Sequence, residues 1–125
     1  MRYVNFNKNP LYKRVGDCTV RAIATALDES WQKVYIWLCV YGFMFCDLPS
    51  ANYVWGEYLK SKGFRRHVID QDGLYTVNDF CNDNPQGLFI LALQSHVVCV
   101  RNGDYFDTWD SGNEIPIYYW KRKDD

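Results

Sequence analysis

The dipeptide Asn102-Gly103 separates two short segments, His96-Val97-Val98-Cys99-Val100-Arg101 and Asp104-Tyr105-Phe106-Asp107-Thr108. Asn-Gly suits the two central positions of a type I′ turn, where both residues need positive φ and the turn's hand matches the twist of the strands. The pair therefore predicts a β-hairpin and also its register. Arg101 faces Asp104, Val98 faces Asp107, and His96 faces Trp109. Side chains alternate along a strand, so His96, Val98 and Asp107 share one side of the sheet, with Asp107 diagonal to His96. Asp110 pairs with Ser95 and points the other way; a bulge near Thr108 would reverse that choice.

Just before the hairpin, Leu88-Phe89-Ile90-Leu91-Ala92-Leu93 is a continuous apolar run of strand length, consistent with a central strand. Residues 115–120 supply a last strand, and residues 121–125 read as a solvated tail. The N-terminal half is helical instead. Asp17 stands at an N-cap position, and from Cys18 to Leu27 the chain is alanine-rich and apolar around most of a helical circumference. Such a helix is buried, and its small side chains permit close approach. Ser30 caps a second helix over residues 31–41, with Val34, Trp37, Leu38 and Tyr41 on one face. Residues 42–49 read as a loop, Ser50 as the cap of a third helix through Lys62, and Gly63 as its C′ residue. Val68-Ile69 is a short strand, Gln71-Asp72-Gly73 a turn, and Thr76 opens a brief helix through Cys81. The first fifteen residues read as a loop or short edge strand. With no repeats and no linker, residues 1–125 are expected to form one α+β domain, N-terminal helices packed on a C-terminal antiparallel β-sheet.

Composition narrows the function classes. Apolar residues make up 48% of the chain and aromatics 18%, enough to bury a real core. A net charge of −1 carries no whole-chain electrostatic footprint for nucleic acid, so none is expected as a partner. Residues 1–8 lack the apolar core of a signal peptide and no apolar run reaches bilayer length, so no membrane association is expected. The five cysteines are odd in number and irregularly spaced, which fits free thiols in a reducing compartment; the expected location is cytoplasmic. Cys39, Cys46, Cys81 and Cys99 form no CxxC pair, and His67 and His96 are the only histidines. No metal and no other cofactor is expected.

Cys18 is the residue that points to chemistry. At the first turn of a helix, free backbone N–H groups and the positive end of the dipole favour a thiolate. The same N–H groups can stabilise an oxyanion formed beside the sulfur. A nearby imidazole would complete the activation as a thiolate–imidazolium pair, and His96 with Asp107 behind it is the candidate.

These residues carry a resemblance. Gly16-Asp17-Cys18-Thr19-Val20-Arg21-Ala22, Ser95-His96-Val97-Val98-Cys99-Val100 and Tyr105-Phe106-Asp107-Thr108-Trp109-Asp110 resemble the papain-like cysteine peptidase superfamily, specifically its small single-domain members from bacteria and their phages. The chain order Cys, His, acid is that of the family. The resemblance implies a papain-like fold and a hydrolase that cleaves a peptide or isopeptide amide bond. It also implies a Cys18-His96-Asp107 triad and a peptide or protein substrate. Family members usually carry a Gln shortly before the nucleophile that helps to form the oxyanion hole; Tyr12 stands at that position here. Asn5, Asn7, Asn9, Tyr12 or backbone donors are the replacements within reach.

Each of these residues also has a plainer reading. A cysteine at a helix start is most often packing, and a lone histidine most often a satisfied core residue. His67 beside Arg65 and Arg66 reads as an exposed strand residue, and Trp31, Trp37, Trp55 and Trp120 as core. Trp109 faces His96 across the strands and either shields the His–Asp bond or fills the core. Two other functions fit the same residues. One is a catalytically weak or inactive papain-like fold used as a binding or inhibitory module, such as a phage protein directed against a host factor; the other is an acyl-transfer enzyme of the transglutaminase or deamidase kind.

Overall fold

In a computed structural model, described for residues 2–70 and 73–123, the chain forms four helices and one six-stranded sheet. In chain order the elements are β1 (Arg2–Asn5), α1 (Cys18–Leu27), α2 (Trp31–Phe45), α3 (Asn52–Ser61), β2 (Phe64–Val68), α4 (Val77–Asp83), β3 (Leu88–Leu93), β4 (Val97–Arg101), β5 (Asp104–Asp107) and β6 (Pro116–Arg122). The strand order is β1-β5-β4-β3-β6-β2. The class is α+β.

The sheet is mixed rather than purely antiparallel, and not all of it is C-terminal. β1 pairs parallel with β5, Tyr3 opposite Tyr105, while every other pairing is antiparallel. Both edges come from earlier in the chain. β1 covers the free side of β5, and β2 covers the free side of β6, Arg66 opposite Trp120. Only Phe64 of β2 is buried. A charged edge strand of that kind has little hydrophobic pattern to read, and its charges discourage pairing with a further chain. The strand begins directly after Gly63, whose φ of +87° turns the chain out of α3, so the expected strand at Val68-Ile69 moves toward the N-terminus. Gln71 and Asp72 of the expected turn lie outside the described residues, as do Asp124 and Asp125 of the expected tail. Lys121 and Arg122 belong to β6, and the Arg122 guanidinium sits 5.1 Å from the centre of the Phe64 ring.

Apolar residues on both sides of β3 explain its unbroken hydrophobic run. Ile90 and Ala92 join Val97 and Cys99 in a core under α1, α2 and α3. Phe89, Leu91 and Leu93 join Val98, Val100 and Tyr105 in a second core under α4. The sheet is thus the middle layer of three. α1 lies against it with seven of its ten residues buried, among them Ala22, Ala24 and Ala26. This central, small-residue helix carries Cys18 at the end that meets the turn between β3 and β4.

Capping explains the helix ends. Ser30 Oγ accepts from Lys33 N at 3.1 Å, and Thr76 and Asp79 form a reciprocal capping box before α4. α3 starts one residue later than its Ser50 cap predicts, with Ala51 at the N-cap. α2 runs through Gly42 to Phe45 where a loop is expected. Its Gly42 is buried because the chain folds back across it: a Cβ there would lie 2.7 Å from the Asp47 carbonyl oxygen. Of the expected α2 face, Val34 and Leu38 are buried and Tyr41 partly so, but Trp37 is 43% exposed. Trp55 and Trp120 are core residues, and Trp31 is half-buried against that core.

Candidate active site

The hairpin has the expected form. Asn102 and Gly103 both have positive φ, 51° and 80°, and Cys99 pairs with Phe106, Val100 with Tyr105, and Arg101 with Asp104. There is no bulge to shift the register. His96 sits just before β4, anchored by its carbonyl, which accepts from Leu93 N at 2.8 Å. Asp107 ends β5, and its Oδ2 lies 2.5 Å from His96 Nε2. Asp110, by contrast, accepts from Tyr105 Oη and from Gly112 N in the loop that follows.

Asp107 is a saturated acceptor. Besides His96, Oδ2 takes the Ser111 hydroxyl at 2.7 Å; Oδ1 takes Thr108 N at 2.8 Å and Arg21 Nη1 at 3.4 Å. Burial acts to raise its pKa. The hydrogen bonds from His96, Ser111 and Thr108 and the imidazolium charge outweigh burial and hold the carboxyl below its ordinary value.

His96 and Cys18 border one cavity, and a side-chain interaction between them contributes to the shifts of both. With Nε2 engaged by Asp107, Nδ1 is the ring atom that remains for the thiol. Burial favours the neutral imidazole, but the hydrogen bonds and charges of Asp107 and Cys18 prevail and push its pKa up to about 9. The Cys18 thiol moves the opposite way. Burial raises it, while the bond to His96, the imidazolium charge, a backbone hydrogen bond with Val97 and the Arg21 charge together bring it below the ordinary thiol value. Opposed shifts in two touching groups favour the thiolate–imidazolium form. The two buried thiols move the other way: burial pushes Cys81 up to about 11 and Cys99 up to about 12.

Trp109 lies over the imidazole, ring centres 4.9 Å apart and planes at 39°. It is 44% exposed, so it is a cover on the His96 ring rather than a core residue. His67 is exposed on β2 and stacks on Tyr119, away from this cluster. Among the described residues, no group of three or more His, Cys, Asp or Glu side chains is arranged to hold a metal ion.

A cavity of about 220 Å³ opens at Cys18, bordered by Gly16, Thr19, Asn52, Gln94, Ser95 and His96, among others. None of Asn5, Asn7, Asn9 and Tyr12 lines it. Asn9 spends its amide on Asp17 Oδ2 and its carbonyl on Leu11 N; Asn7 bonds the Lys13 carbonyl; Tyr12 is 77% exposed. The first N–H groups of α1, which no side chain caps, are oxyanion donors at the helix start that carries the sulfur, and Asn52 and Gln94 line the same cavity. Asp17 occupies the N-cap position, yet its carboxylate turns away to Arg21 Nε at 2.8 Å, Trp31 Nε1 at 3.0 Å and Asn9 Nδ2. The withheld cap leaves the helix end open beside the thiol.

Sequence reasoning missed Arg21, Ser111 and the Asn52 and Gln94 walls. The spacing of Asp17 and Arg21, four apart on a helix start, was the one local signal for the first of these. Ser111 reaches Asp107 only because the loop after β5 folds back. In comparisons with known proteins, no family model, curated protein or solved structure matches the chain. No described helix is long and apolar enough to cross a membrane.

Proposed function

We propose that this chain is a papain-like cysteine hydrolase that cleaves a peptide or isopeptide amide bond. The observation that carries the reading is the series Asp107–His96–Cys18, with the acid on His96 Nε2 and the thiol coupled to the same imidazole, next to an uncapped helix start. The Cys18 thiolate attacks the carbonyl carbon, and the N–H groups at the start of α1 hold the resulting oxyanion. Protonated His96 then gives its proton to the leaving nitrogen as the C–N bond breaks, leaving a thioester on Cys18. His96, now neutral, takes a proton from water as the water oxygen attacks the thioester, and Cys18 departs as thiolate while the acid product forms. Asp107 keeps the ring oriented and the imidazolium stable throughout. We take the cytoplasm as its working compartment, where Cys18 stays reduced; all five cysteines are free.

The test is a library of fluorogenic and unlabelled peptides read by mass spectrometry, with Cys18→Ala as control. Cleavage that disappears in Cys18→Ala supports the reading; a shift of about one dalton on Gln without cleavage would redirect it to deamidation, the same thioester chemistry with ammonia as leaving group. The lack of a side-chain amide from the segment before Cys18 favours a second reading, a papain-like fold that binds a partner without turnover. A biological effect that survives Cys18→Ala at full strength would establish that alternative.

A further inference from the structure

We propose that Arg21, held in place by Asp17, is a positioning residue that orients the Asp107 carboxylate and balances its charge; the proposal rests on the hydrolase reading of Cys18, His96 and Asp107. Arg21 is the physical link between the helix that carries the thiol and the strand that carries the acid. Its Nε donates to Asp17 Oδ1 at 2.8 Å, while Nη1 reaches Asp107 Oδ1 at 3.4 Å and Thr108 Oγ1 at 3.3 Å. The guanidinium side chain is only 12% exposed, and the two carboxylate side chains are 5% and 1% exposed. Two buried anions thus share one partly buried cation.

Geometry argues that this is more than structural cement. A carboxylate with one oxygen on the imidazole can still rotate about its C–C bond. Thr108 N and Arg21 Nη1 on the second oxygen stop that rotation. A planar guanidinium can hold two separate carboxylates at once, which a lysine ammonium on a flexible stem does poorly. Asp17 is itself fixed by Asn9 and Trp31, so the orientation of Arg21 is inherited from the loop before α1 and from the start of α2. The triad is therefore braced by a second, outward row: Asn9 and Trp31 to Asp17, Asp17 to Arg21, Arg21 to Asp107.

The charges make the idea testable. Around the His96–Asp107 pair stand Cys18, Asp17 and Arg21 from the start of α1, and Tyr3 from β1, whose hydroxyl donates to the Asp107 carbonyl at 3.3 Å. Lys13 and Arg14 flank Arg21 in the loop before α1, and Asp110 and Glu114 stand in the loop after β5. Replacing Arg21 by a neutral residue leaves Asp17 and Asp107 uncompensated. Thiolate formation then requires a higher pH, and the imidazolium persists to a higher pH. Replacing Asp17 by Asn frees the Arg21 charge and moves both limbs down.

The experiment is the rate of iodoacetamide alkylation at Cys18, read at the peptide level in the full chain from about pH 4 to pH 10. The native protein is compared with Arg21→Gln, Arg21→Lys and Asp17→Asn. Expected are a native rate plateau across neutral pH, a rise of about one unit in both limbs for Arg21→Gln, and a fall for Asp17→Asn. Arg21→Lys keeps the charge, so its limbs stay in place while peptide turnover falls about tenfold from lost orientation. Should Arg21→Gln not fold, Asp17→Asn, whose limbs fall, against Arg21→Lys, whose limbs stay while turnover drops, carries the same test, and Asp17→Asn limbs that do not fall would overturn it. A native plateau with limbs of Arg21→Gln and Asp17→Asn that do not move, or that move in the same direction, would overturn the role of Arg21 alone. A native Cys18 that titrates as an ordinary thiol would overturn the hydrolase reading itself, and this proposal with it.

Discussion

His96 Nε2 and Asp107 Oδ2 lie 2.5 Å apart across the mouth of a two-residue hairpin, and the same Oδ2 takes the Ser111 hydroxyl at 2.7 Å. The imidazole is thus held from the strand side, where it borders the same cavity as Cys18 of α1. Three consequences can be measured at this site and one in the scaffold.

Asp107 and Asp110 are expected to behave differently. Asp107→Asn keeps the shape but presents an amide N–H₂ to donors at one oxygen or the other, and it removes the charge that holds His96 up near 9. Turnover on a cleavable peptide should fall by roughly 10²–10⁴-fold, and the loss should be greater at alkaline than at neutral pH, because the imidazolium now deprotonates earlier. Asp107→Ala should also destabilise the fold by about 1–3 kcal/mol, since it leaves the Ser111 hydroxyl and the Thr108 N–H without their acceptor. Asp110→Ala leaves the buried Tyr105 hydroxyl without its acceptor and should cost about 1–3 kcal/mol with little effect on rate. Steady-state kinetics with urea unfolding checks all three; an equal rate loss in Asp110→Ala would contradict the assignment.

Stability should depend on pH through His96. Its pKa in the folded protein, about 9, exceeds the unfolded value near 6.5. The stabilisation from protonated His96 is therefore complete below about pH 6.5 and is lost as pH rises through the folded value. A Cys18→Ser background removes the thiol's own titration, leaving His96 raised by Asp107. There, unfolding free energy should fall across this window, and the fall should vanish on adding His96→Gln. Urea titrations at several pH values decide it.

Trp109 covers His96 yet is 44% exposed, so removing it should cost little stability, about 1 kcal/mol or less. Water then reaches the His–Asp bond. Trp109→Ala should lower kcat/KM about tenfold, and Trp109→Phe, which keeps a ring over the imidazole, by less. Unchanged kinetics in Trp109→Ala would show that the cover has no part in turnover.

Gly42 lets the chain after α2 fold back against the helix. With only 2.7 Å between a new Cβ and the Asp47 carbonyl oxygen, Gly42→Ala should destabilise by about 1–3 kcal/mol. Thermal unfolding measures this directly, and a neutral effect would mean that the residues after α2 shift freely.

Local sequence by itself determined the parts of this protein that depend on a few neighbouring residues. The limits of α1, the Ser30 and Thr76 caps, the span of β3 and the type I′ hairpin with its register were all legible, because each rests on backbone conformation or on side-chain alternation over short distances. Register alone put Asp107 beside His96. Tertiary structure decided the rest. β1 and β2 are short, mostly exposed edges whose pairing is set by which strand sides remain open. Asp17 occupies the cap position that its residue type and place suggest, but it gives its carboxylate to Arg21, Asn9 and Trp31, because buried donors from three segments converge there. No local pattern encodes that convergence. Cys18 meets His96 only when α1 packs on the middle of the sheet, and Arg21 and Ser111 meet Asp107 only when α1 and the last loop close around it: contacts between residues far apart in the chain exist only once the cores on the two sides of the sheet have formed.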